Sequence, residues 1–301
     1  MENYKHILEE YRPLASQDRK QRIEFLKEPM WINYPRTKEI QLILENLMNQ
    51  PKKPRMQNLL IIGESNIGKT SLIIQFAIKN PDFGYEDDLG ISHPSKPVII
   101  AQSPASADER GLYISVLECF WAPFRPTDKL SKLRHQCFHL LRECHVKMLI
   151  FDEIHNLLSG TAAKQRFVMN TIKSLSNELM IPIVGVGTQD AALILHSDPQ
   201  HASRFDVVTL PKWELNIDFR SLLMSFESRL PLRNPSNLSS REKGSLLFAI
   251  SNGNLGDLHR LLIECSICAI NEGDEEITLD IIKKYKWCVF WTIVNTYSGP
   301  S

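Results

Sequence analysis

The segment Gly63-Glu64-Ser65-Asn66-Ile67-Gly68-Lys69-Thr70 matches G-x-x-x-x-G-K-[ST] at every fixed position. Residues of these types at this spacing bind phosphate. Glycines let the backbone N–H groups of a loop close on the anion, and the loop runs into a helix N-terminus whose dipole favours negative charge. In that arrangement the cradle extends through Ser71, Lys69 reaches the β- and γ-phosphates of ATP, and Thr70 ligates Mg2+. A second group, Asp152-Glu153, closes the apolar run Met148-Leu149-Ile150-Phe151. Alone, two adjacent acids can simply mark a strand leaving into solvent. Beside the glycine loop they suit hydrolysis, with Asp152 in the Mg2+ shell and Glu153 orienting and deprotonating the attacking water.

Two further positions carry open readings. Ile181-Pro182-Ile183-Val184-Gly185-Val186-Gly187-Thr188 is an apolar run ending in a hydroxyl. In a parallel sheet its carboxyl end falls on the ligand edge, so Thr188 either touches the γ-phosphate or lytic water, or serves plain turn chemistry. Arg204, in Ser203-Arg204-Phe205-Asp206, either completes a neighbouring subunit's ATP site or pairs locally with Asp206 or Asp198.

The elements that must position these groups alternate along the chain. Strand-like runs Leu59–Ile62, Pro97–Ala101, Met148–Phe151, Ile183–Val186 and Val207–Leu210 are separated by helical patterns over Ser71–Ile78, Gly111–Phe120, Leu130–Cys144 and Phe167–Leu179. This predicts an α/β fold, a five-stranded parallel sheet flanked by helices, over residues 55–213. Residues 1–54 read as a helical extension, notably Lys38–Met48, with a linker at Gln50-Pro51-Lys52-Lys53-Pro54. Residues 214–285 read as a small all-helical domain, with a hinge where Pro231 and Pro235 interrupt helix, and residues 286–301 as an apolar, aromatic tail.

The 301 residues are 43% hydrophobic and carry 35 basic against 35 acidic side chains. No global positive field announces nucleic acid, so any DNA surface must be a local patch. No apolar run approaches the ~20 residues of a membrane span and the amino terminus is polar, so neither anchor nor signal peptide is expected, and the expected compartment is cytoplasmic. The six cysteines lie in apolar helical patterns and read as reduced core thiols. Cys265-Ser266-Ile267-Cys268 has metal-like spacing but no second pair to complete a zinc site.

The order of glycine loop, Asp-Glu strand, Gly-Thr strand end, Ser-Arg-Phe and helical lid resembles an AAA+ ATPase. Finer segments resemble the TniB/TnsC transposition ATPases: Trp31-Ile32-Asn33-Tyr34-Pro35-Arg36, Phe151-Asp152-Glu153-Ile154-His155-Asn156-Leu157-Leu158-Ser159-Gly160, Leu210-Pro211-Lys212-Trp213 and Leu230-Pro231-Leu232-Arg233. The resemblance implies an ATPase that self-associates as a ring or filament on duplex DNA. It also implies partners: a TniQ-like target-selection protein on one side and a DDE transposase on the other. Arg204 would act on a neighbour's γ-phosphate, and Arg260, near Gly256-Asp257, would be the lid's phosphate sensor.

DNA would contact Ser103–Arg110 and Thr127–Arg134, where Lys129, Lys132 and Arg134 either neutralise phosphates or form an ordinary solvated helix face. The tail Trp287–Val294 would pack on the lid or dock a partner. A helicase-loader or replication-initiation ATPase would carry similar ATP motifs, and a non-catalytic adaptor would have little use for Glu153.

Overall fold

A computed structural model describes residues 4–86, 90–157, 161–196 and 203–285. The expected apolar tail, Cys288 and Asp198 lie outside the described residues. Contacts divide the chain into two units. One comprises residues 35–211, and the other joins residues 4–34 to residues 212–285.

The larger unit is built on five parallel strands: β1 (Asn58–Ile62), β4 (Val98–Gln102), β5 (Met148–Asp152), β6 (Ile183–Gly187) and β7 (Phe205–Thr209), in spatial order β4-β5-β6-β1-β7. Every residue of β1, β5 and β6 is buried. This is why they read as unbroken apolar runs: inner strands of a parallel sheet are covered on both faces. After β1 the next strand of the sheet lies at the far edge, and later strands fill the gap. The winding therefore reverses at β1, and the crevice at the carboxyl ends of β1 and β6 is the ligand position such a topology creates.

Asn58, 1% exposed, satisfies its buried amide by accepting from Ile183 N (2.9 Å) and Ser176 Oγ (3.2 Å), which ties β1 to β6 beyond the ladder. Leu60, Leu112, Leu149, Phe151, Ile172 and Ile183 belong to the core of this unit.

A two-stranded antiparallel hairpin, β2 (Phe83–Glu86) and β3 (Ser92–Ser95), precedes β4 and was not expected. Its residues are largely exposed, so no apolar run announced it; Tyr85 stacks on His93 with ring centroids 5.3 Å apart, and Gly90 supplies a left-handed residue (φ 75°) in the connection. The helix Pro35–Met48, expected within a separate extension, belongs to the same unit as the sheet. It buries Ile40 and Leu44, receives Lys79 Nζ on Gln41 Oε1 (2.5 Å), and directs Arg36 Nη2 to Thr209 O (2.8 Å).

In the helical unit, helices Ile217–Glu227, Arg241–Ser251 and Leu255–Glu272, and helical residues 279–285, surround Phe219, Leu258 and Leu262. The amino-terminal segment contributes Leu26 and Ile32 to this core, so the expected divisions at 54 and 213 give way to divisions at Tyr34 and Pro211. Arg22, 3% exposed, forks onto Glu275 (2.6 and 2.7 Å) and also donates to Pro231 O (3.2 Å). Burial pushes the Glu275 carboxyl up, but the bonds and charge of Arg22 outweigh it and hold the group below its ordinary value.

The expected hinge is corrected by the same contacts. Leu230, Leu232 and Ser236 are buried, Asn234 N donates to Glu275 O (2.9 Å), and Ile277 N donates to Ser236 Oγ (2.9 Å). The prolines end a helix, but the segment they leave is pinned to its own unit.

The described cysteines are all free thiols. Cys137 and Cys265 are pushed up to about 12 by burial, as befits core residues, and no metal-binding group of His, Cys, Asp or Glu occurs among the described residues. No described helix is long and apolar enough to cross a membrane.

Candidate nucleotide site

The loop leaves β1 at Ile62. Gly63 N donates to Gly187 O (3.2 Å), which fastens the start of the loop to the end of β6. A Cβ at Gly63 would lie 2.7 Å from the Leu210 carbonyl oxygen and 3.0 Å from Ile67 Cγ2. Asn66 (φ 62°) and Gly68 (φ 96°) are both left-handed, the backbone alternation that turns successive N–H groups into one concavity. Helix Lys69–Lys79 then starts at Gly68 with no side chain capping it, which suits a helix N-terminus used for an anion.

Because the clash at Gly63 is with backbone, Gly63→Ala is expected to lower stability by about 1–3 kcal/mol. A loop displaced enough to lose about 1.4 kcal/mol of phosphate contacts also binds nucleotide about tenfold more weakly. Thermal melting and calorimetric titration with an ATP analogue check both effects.

Lys69, 6% exposed, curls over the loop and donates to Gly63 O (2.9 Å) and Glu64 O (2.7 Å). Burial lowers its pKa, while Glu153 and then Asp152 pull it back up, so the acidic pair and the lysine feel one another across the site. Thr70 Oγ1 donates to Asp152 Oδ2 (2.7 Å), and Asp152, 4% exposed, takes Glu153 N on its other oxygen (2.9 Å). One hydroxyl beside one carboxylate is the protein share of a nucleotide-bound Mg2+ shell, whose other positions belong to phosphate oxygens and water. The residues fit that ion.

Glu153 has a left-handed backbone (φ 54°), uncommon outside glycine, and its carboxylate lies 3.2 Å from His155 Nε2. Three polar atoms that follow the ends of β4, β5 and β6 are buried with no partner: Ser103 Oγ, His155 Nδ1 and Thr188 Oγ1. An unmade buried hydrogen bond costs about 1–3 kcal/mol. The three lie just beyond the carboxyl ends of adjacent strands of one sheet, the edge at which the phosphate loop also begins.

The structure thus places Gly63, Glu64, Ser65, Asn66, Ile67, Gly68, Lys69, Thr70 and Ser71 on one loop-helix junction, with Asp152, Glu153 and Thr188 at neighbouring strand ends. Arg204 is elsewhere. It precedes β7 at the amino edge of the sheet, where its carbonyl accepts Asn58 N (2.9 Å) and its Nη1 donates to Asn177 Oδ1 (3.0 Å) rather than to Asp206. Burial, and then Arg55, disfavour its charge, and Arg55 itself donates to Ser203 Oγ (3.0 Å).

Arg260 is exposed on helix Leu255–Glu272 of the helical unit and bonds Tyr285, while the adjacent His259 has a buried Nε2 without a partner. Of the basic cluster, Lys132 pairs with Asp128 (2.9 Å), and Arg134 pairs with Glu178 and lies over the Phe138 ring (4.5 Å). Lys129 is exposed at the start of helix Leu130–Glu143. Local pairs thus occupy two of the three cations. Sequence reasoning placed Ser103 only at the start of a DNA-contacting segment and gave no role to Arg55 or His155; the last stood in plain view two residues after Glu153.

No curated protein matches the chain. Among solved structures, the ORC2 protein of Aeropyrum pernix in ADPNP-ADP complexes is 17% identical with a TM-score of 0.61, covering 86% of this chain and 70% of that one. The ORC1 protein of Aeropyrum pernix in complex with DNA is 14% identical with a TM-score of 0.61, covering 92% and 69%. A Walker-type ATPase of Pyrococcus abyssi is 15% identical with a TM-score of 0.55, covering 90% and 75%. These likenesses establish the fold as that of the AAA+ ATPases, a parallel five-stranded core with a C-terminal helical domain. The family model "Bacterial TniB protein" matches residues 22–215, which spans the phosphate loop, the acidic pair and Arg204. Matched over more than half its length, the chain belongs to the TniB family.

Proposed function

We propose that this protein is an ATP-hydrolysing regulator of DNA transposition that assembles on duplex DNA and links a TniQ-like target-selection protein to a DDE transposase. The observation that carries the reading is the membership in the TniB family joined to the grouping of Lys69, Thr70 with Asp152, and Glu153 on one sheet edge.

ATP enters the glycine loop, and Lys69 exchanges the carbonyls of Gly63 and Glu64 for β- and γ-phosphate oxygens. Thr70 and Asp152 would hold Mg2+, which would supply neutralisation of charge on the phosphates. Glu153 takes the proton of the attacking water, and Thr188 gives its unpaired hydroxyl to the γ-phosphate or that water. Arg204 of a neighbouring protomer stabilises the charge that develops. Bound ATP holds adjacent protomers on the duplex and hydrolysis releases them, with Lys129, Lys132 and Arg134 near the phosphates of the DNA.

The ORC2 structure is of ADPNP-ADP complexes and the ORC1 structure is a complex with DNA, and both agree with this assignment for a chain of the same fold. A second reading, replication initiation or helicase loading, would use the same ATP motifs; the ORC structures, at 17% and 14% identity, speak for fold alone. The two readings separate on the nucleic acid that stimulates hydrolysis. Duplex DNA is expected to raise ATP turnover more than single strands do; a single-strand preference contradicts the transposition reading and favours the other.

A further inference from the structure

Arg204 has a second arginine beside it. Arg55 Nη2 donates to Ser203 Oγ (3.0 Å) and Arg204 Nη1 donates to Asn177 Oδ1 (3.0 Å), so two neighbouring guanidinium groups rest on neutral acceptors. Burial and then Arg55 disfavour the charge on Arg204, and no acidic group offsets them. Among the described residues neither arginine forms an ion pair. Like charges held close repel, and an oxyanion received between them removes the repulsion. The backbones that carry the two are fixed. Met56, 2% exposed, anchors the residue after Arg55 and accepts Lys53 N on its sulfur (3.4 Å), while Asn58 N donates to Arg204 O (2.9 Å) and ties the start of β1 to the residue before β7. Both arginines lie at the amino edge of the sheet, opposite the edge where their own phosphate loop begins, so the anion they fit belongs to another molecule.

We propose that Arg55 joins Arg204 in receiving the phosphates of the nucleotide bound by the adjacent protomer, the two guanidinium groups gripping separate oxygens of one phosphate chain. The inference rests on the action of Arg204 in trans and adds to it a residue and a charge requirement. Each arginine stays charged and can fork onto two oxygens, so the second one strengthens the preference for a neighbour that still carries its γ-phosphate. Facing a neighbour that is empty or has lost that phosphate, the pair meets less negative charge, keeps its repulsion and weakens the interface. Lys52 and Lys53 are exposed just before Arg55 in the chain, which makes a DNA backbone phosphate the rival anion.

The test mixes inactive full-length variants on duplex DNA with ATP, so that each arginine is assigned to one protomer. Lys69→Ala supplies both arginines and no cradle, and Arg204→Ala supplies the cradle. Adding Arg55→Ala to the Lys69→Ala protein should lower the turnover recovered in the mixture by about tenfold or more, the scale of one hydrogen bond between charged groups. Arg55→Lys in the same place should recover part of that loss, because the charge remains without the fork. Adding Arg55→Ala instead to the Arg204→Ala protein, whose arginines serve a different interface, should cost no comparable recovery. Recovery indifferent to Arg55 in the Lys69→Ala protein overturns the proposal and leaves Arg204 in place; a mixture that recovers nothing before Arg55 is touched removes both arginines from the shared site. An equal loss from either partner marks a structural role and overturns it, as melting curves of the variants would show independently. Weaker duplex binding by Arg55→Ala without nucleotide, with a salt slope about one unit shallower, assigns the arginine to DNA and overturns it too.

Discussion

Glu153→Gln should lower ATP turnover by about 10²–10⁴-fold, the usual worth of a positioned general base, while leaving nucleotide affinity close to that of wild type. The separation follows from where each contact is made. Lys69 is held by the carbonyls of Gly63 and Glu64, and Thr70 by Asp152, so no hydrogen bond of the cradle is made to the Glu153 carboxylate. The amide of glutamine keeps the size and a hydrogen bond to His155 but cannot accept the proton of water. With hydrolysis blocked and the cradle intact, assemblies on duplex DNA should persist longer in ATP than those of wild type. Single-turnover hydrolysis and dissociation from labelled duplex measure the two effects. Turnover within a few-fold of wild type would remove Glu153 from the role of base and make an adaptor without catalysis the better description.

Arg204→Ala should have an effect as large by a different route, a loss of about 10³-fold or more in the assembled protein, which is what an arginine supplied to a phosphoryl-transfer site contributes. In its own protomer Arg204 is misplaced for that work. It precedes β7, whose first residue pairs with Asn58 at the amino end of β1, whereas the phosphate loop begins after Ile62 at the other end. Five strand residues at roughly 3.3 Å each put the two about 16 Å apart along the sheet. ATP affinity of the isolated protomer is therefore expected to be unchanged. The variant also loses the bond to Asn177 (3.0 Å), a cost of about 1 kcal/mol that a melting curve separates from the catalytic loss. A reduction of ATP binding in the monomer would contradict action in trans.

How far the chain could be read before its structure follows from what each feature depends on. β1, β5 and β6 are buried on both faces, and their composition says so without help. The phosphate loop is local in sequence, so its spacing carries its chemistry.

What escaped was set by distance or by backbone. The bond from Arg22 to Glu275 joins residues 253 apart and leaves no periodic trace, so residues 4–34 read as an extension rather than as part of the helical unit. The hairpin β2–β3 exposes most of its side chains, and nothing apolar marks it. Helix Ala162–Leu179 begins earlier than its apolar pattern because Thr161 caps it through Lys164 N (3.5 Å). His155 meets Glu153 only because Glu153 adopts a positive φ, which composition cannot reveal.

The central claim is that one protomer's Arg204 completes the site formed by another's Lys69, Asp152 and Glu153. Mixing two inactive proteins tests it most directly. Lys69→Ala lacks a working cradle but presents Arg204, and Arg204→Ala keeps the cradle but presents no arginine. On duplex DNA with ATP, each alone is expected to be inactive and the mixture to recover a substantial part of wild-type turnover, through interfaces that pair an intact Arg204 with an intact loop. A mixture no more active than its components, although both bind DNA and assemble, would contradict the account.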